Sequence, residues 1–107
     1  MAEGRVRGQS ARPDFQALIY PGRLNRIEPA TNSPAAFLVC GYNDRPDISE
    51  GLANVYLLFK KANVPTELHI YAKTGHGFGL RPNAQPPISE WPTHFQQWLV
   101  NLGFQHK

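Results

Sequence analysis

Cysteine is nearly absent from this chain. Cys40 is the only one in 107 residues, so an internal disulfide is excluded and no cysteine-built metal motif exists. It lies in an apolar run, the setting of a small buried hydrophobe and not of a reactive thiol. Charge is also sparse, at 18% of residues, and the net +3 is not concentrated: of eleven Lys and Arg, the largest grouping is Arg5, Arg7 and Arg12. A nucleic-acid site needs basic side chains against phosphates and aromatics against bases, and that interleaving is missing. Nucleic acid is therefore not expected as a partner. No apolar run approaches the roughly 20 residues that span a bilayer, so no membrane association is expected. The opening "MAEGRVRGQS" lacks the apolar core of a signal peptide, which leaves the chain as given where it is made.

Proline and glycine are plentiful instead, at ten and nine residues, and 41% of the chain is hydrophobic, a loop-rich globular composition. At this length one small domain is the ceiling. Residues 1–13 show no period and read as an irregular leader to a domain over residues 14–107. Within "DFQALIYPG", Phe15, Ala17, Leu18, Ile19 and Tyr20 form a short apolar run closed by Pro21 and Gly22, a strand and a turn. Residues 23–34 are a loop. "AAFLVCGYN" is an almost continuous apolar run, which predicts a strand buried on both faces.

Over residues 48–62 the period changes. Leu52, Val55, Tyr56, Phe59 and Ala62 recur at helical steps, with Ser49 as the expected N-cap and Lys60 and Lys61 suited to the negative end of the dipole. "VPTELHIYA" alternates and predicts a strand, residues 74–87 a long surface loop, and "SEWPTHFQQWLVNLGF" a helix capped by Ser89 with Pro92 in its first turn and Gly103 at its end. Strand, strand, helix, strand, helix predicts an α/β fold: part of a doubly wound parallel sheet with about three strands and two main helices.

In such a sheet reactive groups gather on loops leaving the carboxyl ends of strands. Two loops qualify. "CGYNDRPD" offers Asp44 and Asp47, and "KTGHGFG" offers His76 between two glycines that leave its imidazole edge uncovered. Neighbouring parallel strands lie about 5 Å apart, so a carboxylate on one loop reaches an imidazole on the next and can fix its tautomer. A turn histidine without a task is the competing reading. His69 is expected to pack or face solvent within its strand, while His94 lies on a helix and His106 at the end. With no ligand spacing among these histidines, a metal is not expected, and no cofactor is implied.

The stretches "SARPDFQALIYPG", "AAFLVCGYNDR", "LLFKKANVPTELHIYAKTGHGFGLR" and "WPTHFQQWLVNLGF", in this order over residues 10–104, resemble the C-terminal half of α/β-hydrolase serine esterases, in particular the acetyl-xylan-esterase-like and dienelactone-hydrolase-like branch. By position the resemblance makes His76 the general base and Asp44 the acid of a loop usually written H-G-x-x-D, whose first position is Cys40 here; Pro46-Asp47-Ile48, where the family commonly has Val-Pro, leaves Asp47 as a rival. It implies hydrolysis of short-chain acyl esters, with acetylated carbohydrate as one substrate class. It also implies a serine in a G-x-S-x-G elbow, a string that occurs nowhere in these 107 residues. "GQSAR" lacks the final glycine and precedes a strand, so Ser10 is a loop serine. Acid and base without nucleophile predict negligible ester hydrolysis by this polypeptide alone. Alternatives are a prolyl-oligopeptidase-like peptidase fragment and a non-catalytic remnant or interaction module. The expected partners are an ester substrate in a completed enzyme, an N-terminal half supplying the serine, or a second copy joined through an exposed sheet edge at residues 15–20. Family members are often exported by a signal outside the half that this chain resembles.

Overall fold

The computed structural model describes residues 2–4, 14–22, 29, 32–79 and 84–103. Its elements in chain order are β1 (Ala2–Gly4), β2 (Phe15–Ile19), β3 (Ala35–Gly41), α1 (Pro46–Lys61), β4 (Thr66–Tyr71), a single 3-10 turn (Ile88–Glu90) and α2 (Trp91–Asn101). The sheet order is β1-β2-β3-β4. Strands β2, β3 and β4 are parallel, with Ala17 opposite Phe37 and Cys40 opposite Ile70. The partial doubly wound α/β sheet expected from the sequence is present, with three parallel strands and two main helices.

Alternate β3 residues enter two different cores, which explains its unbroken apolar run. Ala36, Leu38 and Cys40 face α1, packed with Leu18, Ile48, Leu52, Val55 and Phe59. Phe37 and Val39 face α2, packed with Tyr71, Phe78, Trp91 and Trp98. All five of these β3 side chains are fully buried. With both faces covered, neither set can tolerate a polar residue, so the period-two signature disappears. Phe59 anchors α1 and is likewise buried; truncation of such a side chain to Ala typically costs about 3–5 kcal/mol.

Several boundaries differ from expectation. Helix α1 begins at Pro46, not after Ser49, and its N-cap is Arg45 without a side-chain capping bond. The fixed φ of Pro46 at the first helical position starts the turn earlier, and the Ser49 hydroxyl instead bonds back to the Arg45 carbonyl at 3.3 Å. Ser89 is likewise not a cap: it lies inside the 3-10 turn, and α2 starts at Trp91 with Pro92 in its first turn.

At the other edge, Ala2–Gly4 pairs antiparallel with Phe15, Gln16 and Ala17. Three leader residues are thus a strand where no period announced one, and the edge of β2 is not bare there. Unpaired N–H and C=O groups along an edge bond to any extended segment, with little demand on its side chains. Ser10, Arg5, Arg7, Arg12, His106 and most of the predicted loop over residues 23–34 lie outside the described residues. Among the described residues, no helix is long and apolar enough to cross a membrane, and no group of His, Cys, Asp and Glu is arranged to hold a metal ion.

Candidate active site

Two adjacent parallel strands set the site. β3 ends at Gly41 and β4 at Tyr71, and Gly41 stands opposite Tyr71 in the register. The loop beyond β3 is tied to the loop beyond β4 by two backbone bonds: Tyr42 N–H donates to the Tyr71 carbonyl at 2.8 Å, and Asn43 N–H to the Thr74 carbonyl at 2.9 Å. That closeness depends on glycine. A Cβ on residue 41 would stand 2.1 Å from the Thr74 carbonyl oxygen and 2.8 Å from that of Gly75. The partner loop is stiffened by Thr74, whose buried hydroxyl donates to the Ala72 carbonyl at 2.9 Å.

The turn closed by Asp44 N–H to the Gly41 carbonyl, 3.1 Å, directs the Asp44 carboxylate inward. One oxygen accepts the Arg45 backbone N–H at 2.7 Å. The other accepts a bond from His76 Nδ1 at 2.9 Å. The acid side chain is 1% exposed and the imidazole 55% exposed. A buried carboxylate with one donor on each oxygen, one of them a half-exposed imidazole, fits an orienting acid and an accessible base.

Asp47 lies elsewhere. Its carboxylate takes a two-pronged ion pair from Arg45, at 3.0 and 2.8 Å, on the surface. Bonding from that guanidinium holds the Asp47 carboxyl below its ordinary range. The geometry therefore pairs Asp44, and not Asp47, with His76.

A cavity of about 430 Å³ opens at the pair, lined by Tyr20, Gly22, Asp44, Arg45, Ile48 and His76. Tyr20 and Gly22 come from the end of β2, so all three parallel strands contribute at their carboxyl ends. Cys40 lies two residues before Tyr42 on β3 but offers no alternative nucleophile. Burial, and then the nearby Asp44 charge, push its thiol up to about 11, so thiolate is scarce near neutrality.

The loop carrying His76 is held from behind. Trp91, the first residue of α2, donates its indole N–H to the Gly79 carbonyl at 2.8 Å and meets Phe78 edge-on at 6.1 Å between centroids. Gly77 and Gly79 occupy positive φ, 77° and 47°, which a Cβ would oppose. In the sequence Tyr20 reads only as part of an apolar run, and nothing there marks Trp91 as a support of the histidine loop.

A second polar cluster joins β4 to α2 outside this cavity. His69 does pack: its ring stacks on His94 at 5.0 Å and on Tyr71 at 5.7 Å, and its Nε2 donates to Glu67 at 2.6 Å. Tyr71 Oη and His94 Nδ1 share a hydrogen bond of 2.5 Å. Burial, followed by the Glu90 and Glu67 charges, pushes the Tyr71 phenol up to about 12.

This fold is that of an α/β hydrolase, over part of its length. Among solved structures the chain is similar to an acetyl ester-xyloside bifunctional hydrolase from Caldicellulosiruptor lactoaceticus, with a TM-score of 0.76 and 22% identity over 97% of this chain and 50% of that one. It is similar as well to MGS-M1, an α/β-hydrolase enzyme from a Medee basin deep-sea metagenome library, with a TM-score of 0.73 and 23% identity over 94% and 47% of the two chains. The carboxylesterase Cest-2923 from Lactobacillus plantarum WCFS1 gives a TM-score of 0.69 and 17% identity over 88% and 46%. The chain thus spans about half the length of the solved chains it matches. No family model matches the sequence, and no curated protein does.

Proposed function

We propose that this chain supplies the acid and base of a serine carboxylic-ester hydrolase for short-chain acyl esters, acetylated carbohydrate among them. The observation that carries the reading is the 2.9 Å bond between a fully enclosed Asp44 carboxylate and the solvent-open His76 imidazole, at the mouth of a cavity. With Nδ1 committed to Asp44, the remaining ring nitrogen, Nε2, takes the proton of an attacking serine. It later returns that proton to the departing alcohol, while Asp44 stabilises the imidazolium in between. No G-x-S-x-G occurs in the 107 residues, so the nucleophile comes from a segment beyond them or from a second chain.

The test joins the chain to the serine-bearing N-terminal half of an α/β hydrolase and offers the product p-nitrophenyl acetate and a peptidyl anilide. Acetate ester turnover that neither half shows alone, and that is lost in His76→Ala, supports the reading. An assembled, folded product that cleaves the anilide and leaves the ester intact overturns it in favour of a peptidase.

A further inference from the structure

Asp44 constrains His76 at one atom. A single hydrogen bond to Nδ1 fixes a distance and leaves the imidazole free to rotate about that contact, yet a base must present Nε2 in one direction. A second constraint is present at the end of β2. The Tyr20 ring meets the His76 ring edge to face, at 4.7 Å between centroids and 67° between planes. The same ring meets Phe78 at 4.8 Å and 72°, and its hydroxyl lies 3.8 Å from where a Cβ on Gly79 would stand. Tyr20 thus sits beneath the loop over residues 76–79.

The backbone at Tyr20 departs from the strand to reach that place. Its φ is +34°, a region rarely occupied by non-glycine residues, and such departures gather at functional sites. The ladder itself is kept, because Tyr20 N–H still donates to the Val39 carbonyl at 2.8 Å. The unusual dihedral is therefore not the fraying of a strand end.

We propose that Tyr20 is a positioning residue for His76. Its ring and the Asp44 carboxylate together set the imidazole plane, so that Nδ1–H stays on the acid and Nε2 stays open to the cavity. This rests on the reading of His76 as a general base. The requirement is for an aromatic ring and not for its hydroxyl, which lies over Gly79.

The experiment uses the whole chain with ¹⁵N-labelled histidine, at about pH 8.5, where an ordinary imidazole is neutral. The two ring-nitrogen shifts of His76 give the ratio of Nδ1–H to Nε2–H tautomers, and its ring protons report the tyrosine ring current. Tyr20→Phe keeps the wild-type ratio. Tyr20→Ala and Tyr20→Leu lower it about two- to tenfold, the equivalent of one aromatic edge contact. Leucine retains apolar bulk, so it decides the matter where the alanine variant does not fold. An unchanged ratio in a folded Tyr20→Leu chain, or a loss in Tyr20→Phe equal to that in Tyr20→Leu, overturns the proposal. Ester turnover does not enter the measurement, so a failed reconstitution counts against the esterase reading alone, and an unchanged tautomer against Tyr20 alone.

Discussion

Adding one methyl group at residue 41 should uncouple the two loops that build the site. In Gly41→Ala the new Cβ meets the Thr74 carbonyl oxygen at 2.1 Å and its carbon at 2.6 Å. Both are backbone atoms, so no rotamer change relieves the overlap. Real Cβ contacts are essentially never closer than 3.0 Å, and retreat to that limit requires a shift of about 0.9 Å. The Asn43 N–H to Thr74 bond starts at 2.9 Å and is the first to be lost. A net backbone bond contributes about 1 kcal/mol and overpacking of this kind costs about 1–3 kcal/mol. The expected destabilisation is about 2–4 kcal/mol, read from urea unfolding followed by the fluorescence of the buried Trp91 and Trp98. Thr74 lies two residues before His76, so the same displacement lengthens the 2.9 Å bond to Asp44. In an enzyme completed with its serine, misplacement of about 1 Å lowers turnover on the order of a hundredfold. A Gly41→Ala chain as stable as wild type, with the His76 tautomer unchanged, would refute the account of how the loops are joined.

The two aspartates should separate cleanly in the completed enzyme. With its amide oxygen on the Arg45 N–H, Asp44→Asn turns its NH2 toward Nδ1, favours the wrong tautomer and lowers kcat about ten-thousandfold, the loss typical of a triad acid, whereas Asp47→Asn breaks a surface ion pair and leaves kcat unchanged. The Cys40 thiol, raised to about 11 and enclosed, should resist a disulfide reagent at about pH 8 in the native chain and react fully in urea; rapid native labelling refutes its burial. Tyr71 is neutral in the fold up to about pH 12, while an unfolded tyrosine ionises from about 10. The unfolded state thus releases the proton first, so this contribution is complete below pH 10 and is lost as pH rises toward 12. Urea midpoints measured across that window should fall with pH, less steeply in Tyr71→Phe; equal slopes refute the assignment.

Much of the fold is legible because burial on both faces and helical period leave direct marks on composition. The run from Ala35 to Cys40 and the steps from Leu52 to Phe59 define β3 and α1. The helix starts differ from expectation because Ser49 and Ser89 are capping residue types, whereas neither helix has a side-chain cap and each carries a proline in its first turn, Pro46 in α1 and Pro92 in α2. The pairing of Ala2–Gly4 with β2 is invisible in side chains because it is made of backbone bonds. At the site, His76 and Asp44 could be named from strand-end loops alone. Their choice over Asp47 depends on which carboxylate turns inward, and that follows from the turn closed onto Gly41. The stacking of His69, Tyr71 and His94 could not be read, since strand alternation does not say which residue of a distant helix each face will meet.

The central claim is that His76, oriented by Asp44, activates a serine that this chain does not contain in an elbow. Rapid mixing of the completed protein with p-nitrophenyl acetate measures that directly as the pre-steady-state release of nitrophenolate. The account predicts a burst of about one equivalent per serine as the acyl-enzyme forms, and its disappearance in His76→Ala with the assembled protein still folded. A burst of the same size and rate in His76→Ala would contradict the account, because the serine would then be activated without this histidine.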